Sequence, residues 1–167
     1  MSCIKSIATS TATAAVLAML VAASANAQPV DPNKLKDQIT GDAKGPAAAN
    51  PQCKLFTVAE ITALVGAPVG PGENAAGGLG CSWHSKDYAA RASVSVVPPN
   101  YFPEPSGVRG FKPLPGIGSR GWAAPDDGWS AGAVVQDMGV VVVISGKAAT
   151  EASVVGMLRQ AIERRKK

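Results

Sequence analysis

Ala131-Gly132-Ala133-Val134-Val135-Gln136-Asp137-Met138-Gly139-Val140-Val141-Val142-Val143-Ile144-Ser145 is the stretch that decides the fold class. Two apolar runs, Ala131 to Gln136 and Val140 to Ser145, flank Asp137-Met138-Gly139. That spacing predicts a β-hairpin with Gly139 at a positive-φ position. Val140 to Ile144 is apolar at every position, which predicts a central strand covered on both faces. Upstream, Ala90, Ala92, Val94 and Val96 alternate with Arg91, Ser93 and Ser95, the period of a strand with one wet face, ended by Pro98-Pro99. Gly80 to Ser85 reads as a further strand with Trp83 inward. Downstream, from about Ala149 to Arg165, the residues Val154, Met157, Leu158, Ala161 and Ile162 form one helical stripe. Strands followed by a packing helix predict an α+β layer.

A first helix is signposted before these strands. Thr57-Val58-Ala59-Glu60 is a capping box, in which the Thr57 hydroxyl and the Glu60 carboxylate answer each other's backbone N–H groups. Phe56 and Ile61 occupy the staple positions. Val58, Ile61, Leu64 and Val65 share a face, and Gly66 followed by Pro68 stops the helix. Residues 66–80, with six glycines and two prolines, read as a mobile connection ending at Cys81. A proline-punctuated loop from Asn100 to Pro115 leads to a short segment at Arg120 to Ala124 and the turn Pro125-Asp126-Asp127-Gly128. The expected fold is therefore α+β, a small antiparallel sheet packed by two helices and carrying one disulfide.

The chain has 167 residues, 46% apolar and 17% charged, with 18 Gly and 13 Pro. That suits one modest domain with appendages and excludes a collagen, a coiled coil or a multi-domain enzyme. Lys5, the apolar run Ala14 to Ala23 and Ala25-Asn26-Ala27 predict a secretory signal peptide over residues 1–27, cleaved after Ala27. The run is shorter than the roughly 20 residues that cross a bilayer core, and no second one follows. The expected location is secreted or periplasmic, soluble after cleavage, with no transmembrane segment in the mature chain. Gln28 rather than a cysteine follows the cleavage point, which argues against lipid anchoring. Residues 28–52 read as a flexible linker, and residues 53–167 as a single domain.

Charge narrows the partners. Residues 28–162 hold 11 basic and 11 acidic side chains, so the mature excess lies in Glu163-Arg164-Arg165-Lys166-Lys167. A balanced domain with few aromatics argues against a nucleic-acid partner. The terminal cations suit a solvated helix end, or a weak attraction to an anionic surface that deletion of Arg164 to Lys167 would abolish.

Cys53 and Cys81 remain after cleavage, 28 positions apart, and export makes a disulfide the expectation for such a pair. Cys81-Ser82-Trp83-His84 places a thiol near the only imidazole, but zinc wants three or four ligands and no second Cys/His pair exists. Gly116-Ile117-Gly118-Ser119-Arg120-Gly121 matches the dinucleotide fingerprint in letters, yet it leads toward Trp122-Ala123-Ala124-Pro125 rather than a helix N-terminus. It reads as a bend into an edge strand. Asp126-Asp127 is turn chemistry, since calcium wants six to eight oxygens. No metal, cofactor or catalytic residue is expected. Tyr101, Phe102, Trp122 and Trp129 are the candidate ligand-binding residues, aromatic faces that suit a glycan or peptide groove.

Cys53-Lys54-Leu55-Phe56-Thr57-Val58-Ala59-Glu60-Ile61, then Gly66, Gly80-Cys81-Ser82-Trp83 and Gly116-Ile117-Gly118, resembles the uncharacterised domain found in many actinobacterial cell-envelope lipoproteins. The likeness covers about residues 53–162. It implies a disulfide between the matching cysteines, a small extracytoplasmic α+β domain and no established catalytic residues. The lipidated cysteine of that family is missing here, so its anchoring does not carry over. The expected function is a non-enzymatic binding or accessory domain of the cell envelope, with an envelope protein, a glycan or a small apolar molecule as partner. Alternatives are a small envelope hydrolase using His84 and a carrier of an apolar ligand.

Overall fold

The computed structural model describes residues 47–166. The predicted signal peptide and most of the predicted linker lie outside the described residues, as does Lys167. Within 47–166, helix α1 spans Val58–Val65 and α2 spans Glu151–Arg165. The strands are β1 Glu73–Ala75, β2 Gly80–His84, β3 Arg91–Val97, β4 Lys112–Pro113, β5 Ser119–Pro125, β6 Trp129–Val135 and β7 Met138–Ser145. They form one sheet in the order β1-β2-β3-β7-β6-β5-β4, every neighbouring pair antiparallel. At seven strands it is larger than the small sheet expected. β1 lies in the connection expected over residues 66–80, where Gly/Pro-rich surroundings hide three residues that pair with β2, and β4, in the loop expected from Asn100 to Pro115, is two residues long and ends in Pro113.

The topology is two meanders joined by one crossing. β1-β2-β3 runs in from one edge; residues 98–111 then travel to the other edge, and β4 to β7 return to pair with β3. Both helices pack on one face, where Ile61, Val65, Val94, Val140, Val142, Ile144, Val154, Met157 and Leu158 are fully buried. The capping box of α1 forms with both reciprocal bonds, and Gly66 closes the helix at φ 73°. Val58, placed on the buried stripe by sequence, is exposed at the first helical position. Thr150 caps α2 in the same manner, with Ser153 answering.

β7 lies at the centre of the sheet as expected, but its outer face is only partly covered. Val140, Val142 and Ile144 are buried under the helices, whereas Val141 and Val143 are half-buried. The outer face is roofed at one end by the crossing loop, which brings Phe102 and Phe111 against Trp122, Ala124, Val134, Val97 and Val141. Gly139 serves this contact rather than a turn: a Cβ there would sit 2.5 Å from Phe102 Cδ2. The positive φ of the β6–β7 turn belongs to Gln136, at 55°.

Cys53 and Cys81 form a disulfide with a Cα separation of 5.0 Å. Residues 47–52, at the end of the segment expected as a linker, include the short 3-10 turn Ala47–Ala49 and the start of a second, Pro51–Lys54. The buried Asn50 side chain donates to Asn74 Oδ1 and to the Gly80 carbonyl, each at 2.8 Å, and accepts from the Gln52 N–H. An amide so satisfied ties residues 50–54 to β1 and β2 beside the disulfide.

Candidate functional site

The four aromatic candidates do not form a groove. Trp122 and Phe102 are buried against each other and Phe111, and Trp122 Nε1 donates to the Pro103 carbonyl at 2.9 Å. Trp129 packs from the other face against the main core. Tyr101 alone is exposed, at 74%. Sequence spacing could not separate these roles, because the long crossing loop decides which aromatic rings it covers.

The glycine-rich run is also structural. Ser119 begins β5, and a Cβ at Gly121 would lie 2.6 Å from the carbonyl oxygens of Leu114 and Ile117. Its glycines allow close backbone approach in a bend, with no helix N-terminus to hold a phosphate. The bend enters β5, which β4 separates from the edge of the sheet. Asp126 and Asp127 sit in the β5–β6 turn, where Asp127 faces Arg91 at 3.4 Å. No group of three metal-ligating side chains occurs among the described residues.

The chemistry that sequence reasoning missed lies at the β2–β3 end of the outer face. Residues i and i+2 of a strand project to the same side. With Trp83 inward, Ser82 and His84 therefore stand together outward, and His84 Nε2 lies 3.1 Å from Ser82 Oγ. The Ser-Trp-His order carried that signal, whereas the earlier pairing of Cys81 with His84 crossed the sheet. Cross-strand register places Arg91 opposite His84, and both Glu73 and Ser93 opposite Ser82.

The turn joining these strands is held by a dense set of bonds. Ser85 N–H donates to the Ala90 carbonyl at 2.9 Å, Ala90 N–H to Ser85 Oγ at 3.0 Å, and Tyr88 N–H to the Ser85 carbonyl at 2.9 Å. Asp87 accepts from Ser85 Oγ at 2.6 Å and from the Ala89 N–H. The first of these bonds, then the second, holds its carboxyl below the usual value. This frame fixes Tyr88 at φ 57°, a left-handed conformation that a bulky residue adopts at a cost of about 1 kcal/mol. Tyr88 is 74% exposed, and its ring lies 5.3 Å from the His84 ring, tilted by 44°.

Tyr88 borders two open crevices of about 470 Å³ each. One is lined by Pro68, Val69, Gly70, Glu73, His84 and Lys86, the other by Arg91, Asp127, Ser145 and Gly146. A larger crevice of about 650 Å³ lies between the residue 51–54 turn and the last turn of α2. There Arg164 is committed internally: it donates to the Leu55 carbonyl and to both Glu60 oxygens, and its guanidinium lies 4.9 Å from the Phe56 ring centre. The basic terminus is thus partly a structural clamp, and deleting Arg164 to Lys167 would remove that clamp with the charge.

Searches against protein-family models, curated proteins and solved structures find no match to this chain. Among the described residues, no helix is long and apolar enough to cross a membrane.

Proposed function

We propose that the chain is an exported, non-enzymatic binding or accessory domain of the cell envelope that takes its ligand at the Tyr88 rim. One observation carries the reading: an aromatic ring is held outward in a costly backbone conformation by a bonded turn, with an open crevice bearing charged side chains on each side. Exposed large rings gain little in a fold and much in a complex. The disulfide supports an oxidising compartment. The charged side chains Glu73, Lys86, Arg91 and Asp127 at these crevices suit a hydroxylated or peptidic ligand better than an apolar cargo. A photo-crosslinking amino acid placed at position 88 in the full chain, expressed in its own host, tests this. Adducts are expected from position 88 and not from an equivalent probe at Val58, on the helical layer. Equal labelling at both positions refutes the assignment.

The hydrolase reading is kept for one specific observation, the Ser82 to His84 distance of 3.1 Å. It is the geometry of a nucleophile beside its base. Among the described residues no carboxylate is hydrogen-bonded to the His84 ring, so the orienting member of a triad is not supplied. Turnover of a simple aryl ester that disappears in both Ser82→Ala and His84→Ala would favour this chemistry; turnover that survives either substitution would end it.

A further inference from the structure

Resting on that reading of the rim, we propose that Tyr88 is the stacking platform for a neutral oligosaccharide, whose successive sugar units occupy the crevices on either side of the ring. The argument begins with charge. The first crevice presents one carboxylate, Glu73, one ammonium, Lys86, and the His84 imidazole; the second presents one guanidinium, Arg91, and one carboxylate, Asp127. Each is balanced within itself. An acidic polymer would meet Glu73 and Asp127, a basic one Lys86 and Arg91, and an apolar chain would strip water from all four charges at a large penalty.

A sugar ring avoids all three conflicts. Its hydroxyls both donate and accept, so one ring can donate hydrogen bonds to Glu73 or Asp127 and accept them from Lys86 or Arg91. Its C–H face is apolar and matches the exposed face of Tyr88, an amphipathic ring that pairs contact area with few rotatable bonds. Further hydroxyls line the same ends of the strands: Ser82 lies next to His84, and Ser145 lines the second crevice. Volumes of about 470 Å³ fall within the range of small-ligand sites. Since Tyr88 borders both crevices, the ligand is a chain passing over the ring rather than a single unit in a closed pocket. The bonded turn also lowers the ordering cost of binding, because the platform is already set.

The test is a titration of the ¹⁵N-labelled full chain, read from amide shifts of residues 84–91. Cellotetraose, maltotetraose, tetra-N-acetylchitotetraose and mannotetraose are the neutral probes, with tetragalacturonate and a deacetylated chitosan tetramer as charged controls. Saturable shifts are expected from at least one neutral probe, with weaker responses to both controls. Tyr88→Phe should retain the affinity, since stacking does not need the hydroxyl. Tyr88→Asn, a residue that tolerates left-handed backbone and so preserves the turn, should lose about tenfold or more. Equal binding by either charged control overturns the neutral assignment, and affinity unchanged in Tyr88→Asn overturns the platform. No saturable shift from any neutral probe at about 10 mM, beyond weak millimolar affinities, also overturns the proposal. If position 88 still crosslinks a ligand in the host, the binding-domain reading survives that failure; if it does not, both fall.

Discussion

Replacing Arg164 by alanine severs the contact between the two ends of the described fold. Its guanidinium donates to the Leu55 carbonyl and both carboxylate oxygens of Glu60 while stacking on Phe56. Glu60 also accepts from the Thr57 N–H in the capping box of α1. The Arg164 and Glu60 side chains are 34% and 39% exposed, so solvent screens much of their mutual attraction. Charge-assisted hydrogen bonds and a cation–π contact, discounted for that exposure, come to about 2 kcal/mol. In a domain of this size that is a fall of about 8 °C in Tm.

The pH dependence makes the reasoning refutable. Glu60 has its pKa lowered from 4.5 to about 2, first by the hydrogen bond from Arg164 and then by the Thr57 N–H. A carboxylate whose folded value is depressed contributes its full stability above the unfolded value, and loses it as pH falls through the folded one. The difference between wild type and Arg164→Ala should therefore be complete at about pH 7 and shrink between about pH 4.5 and pH 2. Urea unfolding followed by tryptophan fluorescence reads both, and a double-mutant cycle with Glu60→Gln isolates the pair. Coupling is expected at about 1 kcal/mol at neutral pH and at less than about half of that at about pH 2.5, vanishing only below the folded value. A penalty that does not change over this range, or a cycle without coupling at neutral pH, would show that Arg164 acts through packing alone.

Gly139→Ala should destabilise by about 2 kcal/mol in the same unfolding assay, because the new methyl meets Phe102 in a closed cluster. Gly156→Ala, inside α2 with nothing within 4 Å of the added carbon, should instead stabilise by about 0.5 to 1 kcal/mol. Gln52 Oε1 is buried without a hydrogen-bond partner among the described residues. Gln52→Met, similar in length and with no acceptor to satisfy, should raise Tm or leave it unchanged; a clear fall would mean that the amide has a role in the fold. Joint replacement of Cys53 and Cys81 by serine should cost about 3 to 4 kcal/mol, measured as a lower urea midpoint.

Local rules accounted for much of this protein. The α1 capping box, the Gly66 stop, the alternation of β3, the inward Trp83 and the central place of β7 each follow from residues a few positions apart. Such features depend on backbone hydrogen bonding and side-chain periodicity, which neighbours in sequence already fix. Short edge strands escaped, since β1 and β4 hold too few residues to show a period. The candidate site was poorly legible for a different reason. Aromatic residue type marked Trp122 and Phe102, yet exposure, which decides availability to a ligand, is set by what folds over them.

The sequence by itself determined the fold class and the pairing of Cys53 with Cys81, because patterning and the two cysteines left after the predicted cleavage are properties of the chain. Only the tertiary structure decided that the crossing loop seals Phe102 and Trp122 into a second core while the β2–β3 turn leaves Tyr88 outside between two crevices. Which ring is buried depends on contacts between segments far apart in sequence, and no local periodicity encodes them.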